Sequence, residues 1–101
     1  MKELVERIRN NKRTLLYFHN NACGHCKEIK PKIDLIESKN QGDLFMVNTF
    51  EQEDITTKFK VEFVPTLVII ENEEISKLEG FKKIEEFYEE VTNPNPNQLR
   101  G

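Results

Sequence analysis

Ala22-Cys23-Gly24-His25-Cys26 is the stretch around which this sequence is organised. It contains the only two cysteines among the 101 residues of the chain. The cysteines are separated by two residues, which is close enough for them to form a small disulfide ring. A cysteine pair at this spacing, placed between a strand and a helix, is typical of a dithiol redox site.

The residues on either side of the pair predict a strand followed by a helix. Residues 14–19 are apolar and rich in strand formers, which indicates a strand covered on both faces. After the pair, Ile29, Ile33 and Ile36 recur at helical spacing, so we expect a helix that ends near residue 39. The first cysteine then lies at the helix N-terminus, where unpaired N–H groups and the helix dipole stabilise a thiolate and lower the thiol pKa.

The rest of the chain predicts three more strands and three more helices. The expected ranges are a helix over 1–12, a strand over 44–47, a helix over 51–59, a strand over 66–70, a hairpin strand over 75–78 and a helix over 82–91. Because strands separated by helices pair in parallel through right-handed crossovers, we expect a mixed four-stranded sheet whose antiparallel edge is the final hairpin. The predicted fold class is α/β in the order α-β-α-β-α-β-β-α, with helices on both faces.

Composition and charge limit the classes of function. The formal net charge is −3, which argues against nucleic-acid binding because phosphate neutralisation requires a basic face. No apolar run reaches the roughly 20 residues of a membrane span, and residues 1–7 lack the apolar centre of a signal peptide. We therefore expect a cytoplasmic monomer with no membrane partner. We also expect one domain over 1–92 and a flexible Asn-Pro tail over 93–101.

Four features make the sequence resemble the thioredoxin superfamily over nearly all of residues 14–91. They are Cys-Gly-His-Cys-Lys at 23–27, Pro31 in the following helix, Val-Pro-Thr at 64–66 and Gly80 before the last helix. A CxxC motif alone is weak, but Val-Pro-Thr about 40 residues later makes the match specific. The Gly-His dipeptide is similar to that of the catalytic domains of protein disulfide isomerases, whereas ordinary thioredoxins have Gly-Pro.

The resemblance implies a thioredoxin-like fold and thiol–disulfide oxidoreductase activity. It implies Cys23 as the nucleophile, Cys26 as the resolving thiol, and Gly24 and His25 as residues that tune the pair. Because Cys26 lies one turn further into the helix, we expect Cys23 to be the exposed thiol and Cys26 the shielded one. The expected substrates are disulfide-containing proteins or small molecules, and the expected electron source is an upstream dithiol reductant or reductase. No cofactor is expected.

The resemblance also implies a substrate-binding edge that faces the cysteines. Ala22, Val64, Pro65 and Gly80 are the matching positions. The Val64–Pro65 peptide bond is expected to be cis and to lie opposite the cysteine pair. The backbone of Val64 is then expected to pair with an extended segment of the substrate.

The sequence departs from the family pattern at three positions near the pair. Ala22 stands where the family has tryptophan, Tyr17 replaces a buried acid, and Met46 replaces the lysine that accompanies this acid. We interpret the last two changes as a joint replacement of a buried charge pair. Cys26 then lacks the family's proton acceptor, so we expect slow resolution of the mixed disulfide unless water or His25 substitutes.

Several alternatives remain open from the residues alone. The chain could be a binding or assembly module whose CxxC pair holds a metal or iron–sulfur cluster, or serves as a redox-sensed docking face. A mononuclear zinc site needs about four ligands, and the nearby candidates are only His19 and His25. His25 either stabilises the thiolate or simply faces solvent. His19 is expected to be structural, and Tyr17 to be a core residue whose hydroxyl requires a partner.

Overall fold

The computed structural model describes residues 1–39 and 42–92, so the expected tail over 93–101 lies outside the described residues. The elements are α1 (Lys2–Asn10), β1 (Arg13–His19), α2 (Gly24–Ser38), β2 (Asp43–Asn48), α3 (Glu53–Lys58), β3 (Thr66–Glu71), β4 (Glu74–Glu79) and α4 (Phe81–Thr92). Every expected element is present in the expected order. Among the described residues, no helix is both long enough and apolar enough to cross a membrane.

The four strands form one mixed sheet in the order β2-β1-β3-β4. β1 pairs with β2 in parallel, with Tyr17 opposite Met46 and His19 opposite Asn48. β3 pairs antiparallel with both of its neighbours, β1 and β4. The predicted fold class and the predicted hairpin are therefore confirmed.

The direction of β3 differs from the expected one, because β3 runs antiparallel to β1 rather than parallel. β2 ends at the same edge of the sheet as β1, and β3 begins there, since Thr66 pairs with Phe18. The connection over 49–65 therefore stays at one edge. Its helix α3 has six residues, or about 9 Å, whereas a parallel crossover must return along strands about 20 Å long.

The core has two layers, one on each face of the sheet, because successive side chains of β1 point to opposite faces. The α2/α4 core contains Leu15, Tyr17, Ile29, Ile33, Ile36, Leu44, Leu67 and Ile84. The α1/α3 core contains Leu4, Leu16, Phe18, Val47, Ile55, Val68 and Ile70. The prediction that β1 is covered on both faces is therefore confirmed.

The return from α2 to β2 passes close to β1 at Gly42. Its φ is +145°, a backbone conformation that side chains disfavour. A Cβ atom at this position would lie 2.9 Å from the carbonyl oxygen of Arg13. Only glycine fits this approach without displacing the backbone.

Candidate active site

Cys23 and Cys26 form a disulfide at the N-terminus of α2, with their Cα atoms 5.3 Å apart. Cys23 is the N-cap residue, and its sulfur accepts a hydrogen bond of 3.0 Å from the backbone N–H of Cys26. In this oxidised form 9% of Cys23 and 5% of Cys26 are accessible, so both are largely buried and Cys23 is the more accessible of the two. The exposure of Cys23 as a free thiol stays a prediction. The disulfide holds both sulfurs within the first helical turn.

The side chain of Asn20 organises the loop between β1 and the cysteines. Its Oδ1 accepts a hydrogen bond of 3.0 Å from the N–H of Ala22, and its Nδ2 donates one of 2.9 Å to Oγ1 of Thr49. The N–H of Cys23 donates a hydrogen bond of 3.3 Å to the backbone carbonyl oxygen of Asn20. Asn20 therefore connects the loop that precedes α2 to Thr49, in the segment that follows β2. The sequence predicted only a turn here, because the contact with Thr49 is not local.

Val64, Pro65 and Gly80 lie at the same edge of the sheet as this loop, since Thr66 pairs with Phe18 near the end of β1. The Val64–Pro65 peptide bond is cis. The N–H of Gly80 donates a hydrogen bond of 2.9 Å to the carbonyl oxygen of Pro65. The structure therefore brings together the segment that precedes β3, with Val64 and Pro65, and Gly80, which follows β4.

His25 is exposed, and its ring contacts Glu28 of α2 and Phe81 of α4. Its Nδ1 lies 3.3 Å from Oε2 of Glu28, and its ring centroid lies 5.3 Å from that of Phe81. Gly24, next to it, has open space where a Cβ would be. Phe81 was not identified from the sequence as a site residue. Its place directly after Gly80 was the one available signal.

Tyr17 is a buried core residue, as expected, and its hydroxyl has a partner. The hydroxyl donates a hydrogen bond of 2.9 Å to the carbonyl oxygen of Cys26. Burial raises the pKa of Tyr17 to about 12, since a low-dielectric environment disfavours the phenolate. Tyr17 is therefore neutral at physiological pH and holds the second cysteine through its backbone.

His19 is half-buried and stacks on Tyr17, with ring centroids 5.4 Å apart and planes inclined by 15°. The pKa of His19 is lowered, mainly by burial and further by the positive charge of Lys30, while Glu51 acts in the opposite direction. A pocket of about 160 Å³ opens beside this ring. It is lined by Tyr17, His19, Asn20, Asn21, Cys26, Lys27, Lys30 and Met46.

An exposed aromatic surface lies beside Val64. The accessible fractions are 63% for Phe50 and 59% for Phe63. Both line a groove of about 210 Å³ together with Val64 and Asn20. The groove places these two exposed rings next to Asn20, which belongs to the loop that leads to the cysteines.

Over the described ranges 1–39 and 42–92, no group of three or more His, Cys, Asp or Glu side chains is arranged to hold a metal ion. Of the two candidate histidines, His25 contacts Glu28 and Phe81, and His19 lines a pocket together with Cys26.

Comparison with known proteins gives a consistent result. A family model described as Thioredoxin matches residues 1–93. The chain is 30% identical over 66 residues to a thioredoxin of Echinococcus granulosus, covering 64% of this chain and 62% of that protein. It is 26% identical over 93 residues to protein disulfide-isomerase A5 of Mus musculus, covering 86% of this chain and 18% of that protein. The matched region thus spans less than two thirds of either relative.

Solved structures show the same fold. The structure of thioredoxin NaTrxh from Nicotiana alata superimposes with a TM-score of 0.74 at 21% identity. The match covers 93% of this chain and 84% of that one. At this level of identity the likeness concerns the fold alone.

Proposed function

This chain belongs to the thioredoxin family, and on that premise we propose that it is a thiol–disulfide oxidoreductase that reduces disulfides through Cys23 and Cys26. The observation that carries the proposal is the position of Cys23 as the N-cap of α2, with the N–H of Cys26 directed at its sulfur. In the reduced form, this N–H and the helix dipole stabilise a Cys23 thiolate, which is the nucleophilic form of cysteine.

The proposed reaction has two exchange steps. The Cys23 thiolate attacks one sulfur of the substrate disulfide, so that a mixed disulfide forms and the other substrate sulfur leaves as a thiol. Cys26 then loses its proton and attacks Cys23. A Cys23–Cys26 bond forms, the bond to the substrate breaks, and the substrate leaves with two electrons more than it had. An external dithiol donor reduces the pair again.

Proteins are the proposed substrates. The cis peptide bond before Pro65 lies at the edge where the loop to the cysteines begins, and the backbone of Val64 can pair there with an extended segment. The exposed rings of Phe50 and Phe63 beside Val64 favour a segment with apolar side chains. Ala22 is exposed and small, which leaves the approach to the disulfide open.

The electron donor and the setting are part of the same proposal. An upstream dithiol reductant or reductase supplies electrons, and the protein acts as a monomer in the reducing cytoplasm. The support for the compartment is that both cysteines of the chain belong to the site pair, as expected where structural disulfides are not maintained.

Reduction of insulin by the protein in the presence of dithiothreitol tests this function. We expect Cys23→Ser to abolish the activity, and Cys26→Ser to accumulate a mixed disulfide with insulin that mass spectrometry detects. The two variants differ only in which sulfur is removed, so each is the control for the other. Retained activity in Cys23→Ser, or a purified protein whose cysteines hold a metal or cluster, would contradict the proposal.

A further inference from the structure

The resolving step requires that the Cys26 thiol lose its proton, and a pocket lies beside this residue. A free cysteine thiol has a pKa of about 8.5, so Cys26 is mostly protonated near neutral pH unless its surroundings change this value. Its sulfur becomes a nucleophile only when the proton leaves. The inference below rests on the proposed function, in which Cys26 resolves a mixed disulfide on Cys23.

Most of the polar groups that line the pocket cannot accept this proton. The hydroxyl of Tyr17 already donates to the carbonyl oxygen of Cys26, and burial keeps it neutral by raising the pKa of Tyr17 to about 12. Lys27 and Lys30 present ammonium groups, which have no acceptor lone pair. Asn20 and Asn21 carry amides, which do not titrate in this range.

His19 is the remaining group, and its ring is well placed. It stacks on Tyr17 with the ring centroids 5.4 Å apart, and the hydroxyl of the same tyrosine lies 2.9 Å from the carbonyl oxygen of Cys26. Its backbone is held by the N–H of Thr49, which donates to its carbonyl oxygen at 2.8 Å. His19 and Cys26 therefore face one pocket of about 160 Å³, which has room for a water molecule of about 30 Å³.

We propose that His19 is the proton acceptor for Cys26 in the resolving step, and that it takes the role of the buried acid that Tyr17 replaces in this chain. The Cys26 thiol gives its proton to an imidazole nitrogen, directly or through one water molecule. The Cys26 sulfur then attacks the Cys23 sulfur, and the Cys23–Cys26 bond forms as the bond to the substrate sulfur breaks. The substrate sulfur leaves with the bonding electron pair and takes up a proton.

The charged groups around the His19 ring favour its role as a proton acceptor. Burial and the cation of Lys30 lower the pKa of His19 below its ordinary value of about 6.5, so the imidazole is neutral and able to accept a proton at pH 7. The cations also stabilise the Cys26 thiolate once it forms. The titratable and charged groups that face His19 are Tyr17 of β1, Cys26, Lys27 and Lys30 of α2, and Glu51 after β2.

The reaction of the reduced protein with equimolar 5,5′-dithiobis(2-nitrobenzoate) separates the two steps. Attack by Cys23 releases the first thionitrobenzoate, and resolution by Cys26 releases the second. General base catalysis contributes about 10²- to 10⁴-fold, so we expect His19→Gln to slow the second release at least about tenfold at pH 7. The first release is expected to keep its rate.

The pH dependence and chemical rescue distinguish proton transfer from a structural role. In the wild type, burial and Lys30 lower the pKa of His19, so the second release is expected to keep its rate at neutral pH and to lose it only at acidic pH, as the imidazole becomes protonated. In His19→Gln, the rate is expected to follow the thiolate fraction and fall throughout the range below about pH 8.5. His19→Ala leaves space in the pocket, and free imidazole is expected to restore part of its second release.

Lys30→Met provides a matched electrostatic variant. Removal of this cation raises the pKa of His19, so the low-pH fall of the second release is expected to move to higher pH.

An unchanged second release in His19→Gln, or no rescue of His19→Ala by imidazole, would overturn the role of His19 and leave the proposed function standing. A wild-type protein that shows no second release would instead overturn the proposed function, and this inference with it.

Discussion

At the scale of single residues, Tyr17 links the core to the second cysteine. Its hydroxyl is buried and donates to the carbonyl oxygen of Cys26. Removing one partner of a buried hydrogen bond costs about 1–3 kcal/mol, so Tyr17→Phe is expected to lower the free energy of unfolding by about that amount. Urea denaturation measures the change. A variant as stable as the wild type would show that water compensates for the lost hydroxyl.

The same tyrosine predicts a pH dependence of stability. The pKa of Tyr17 is about 12 in the folded protein and about 10 in the unfolded chain, so the folded state holds the proton more tightly. The resulting stability is fully present below about pH 10 and is lost as the pH rises to about 12, by up to about 1.4 kcal/mol per pH unit. Tyr17→Phe is expected to lack this component. Parallel curves for the two proteins above pH 10 would contradict the assignment.

The reduction potential of the cysteine pair is expected to depend on His25. A hydrogen bond from the ring of His25 to the Cys23 thiolate is expected to stabilise the reduced form, which makes the disulfide a stronger oxidant than that of an ordinary thioredoxin. Contacts with Glu28 and Phe81 hold the ring in place. We expect His25→Pro, which is tolerated in a first helical turn, to make the potential more negative by about 30 mV or more, with each 30 mV equal to about 1.4 kcal/mol.

Equilibration of the wild type and His25→Pro with glutathione buffers measures both potentials. Phe81→Ala is the companion variant, because it removes the ring contact and leaves the imidazole present. Its potential is expected to lie between the other two. If the wild type already has the potential of an ordinary thioredoxin, and His25→Pro does not change it, then the Gly-His dipeptide has no part in the redox poise.

At the scale of elements, two glycines next to α2 can be compared: Gly24, which begins the helix, and Gly42, which follows it. Gly42 has a φ of +145° and no room for a Cβ beside Arg13, whereas Gly24 lies in the helix with open space around it. Gly42→Ala is expected to destabilise the protein by about 1–3 kcal/mol because it imposes backbone strain. Gly24→Ala is expected to be stabilising by up to about 1 kcal/mol because it restricts the unfolded chain. Thermal unfolding compares the two, and equal effects would contradict this account.

At the scale of the whole molecule, β1 joins the two core layers. Leu15 belongs to the α2/α4 core and Leu16 to the α1/α3 core, and both are fully buried. Leu→Ala at either position is expected to cost about 2–5 kcal/mol. Because both layers share one central strand, each variant should unfold in a single transition. Urea unfolding followed by circular dichroism and by tyrosine fluorescence tests this. Two separated transitions in either variant would show that the layers unfold independently.

The amino-acid sequence by itself determined the elements and the cysteine pair. The helical spacing of Ile29, Ile33 and Ile36 and the apolar run before Cys23 are local patterns, and local patterns decide where helices and strands form. They also place Cys23 at a helix N-terminus, because an N-cap depends on the few residues around it. The family resemblance rests on the same short motifs.

Only the tertiary structure decided what surrounds the pair. β3 runs antiparallel to β1 because α3 is too short to carry the chain back along the sheet. The same sheet edge collects segments far apart in the sequence, and it sets Asn20 against Thr49 and His25 against Phe81. Whether His19 has a structural role at the end of β1 or accepts a proton from a thiol depends on which pocket its ring lines. That pocket forms only when strand and helix pack together, so no local pattern could reveal it.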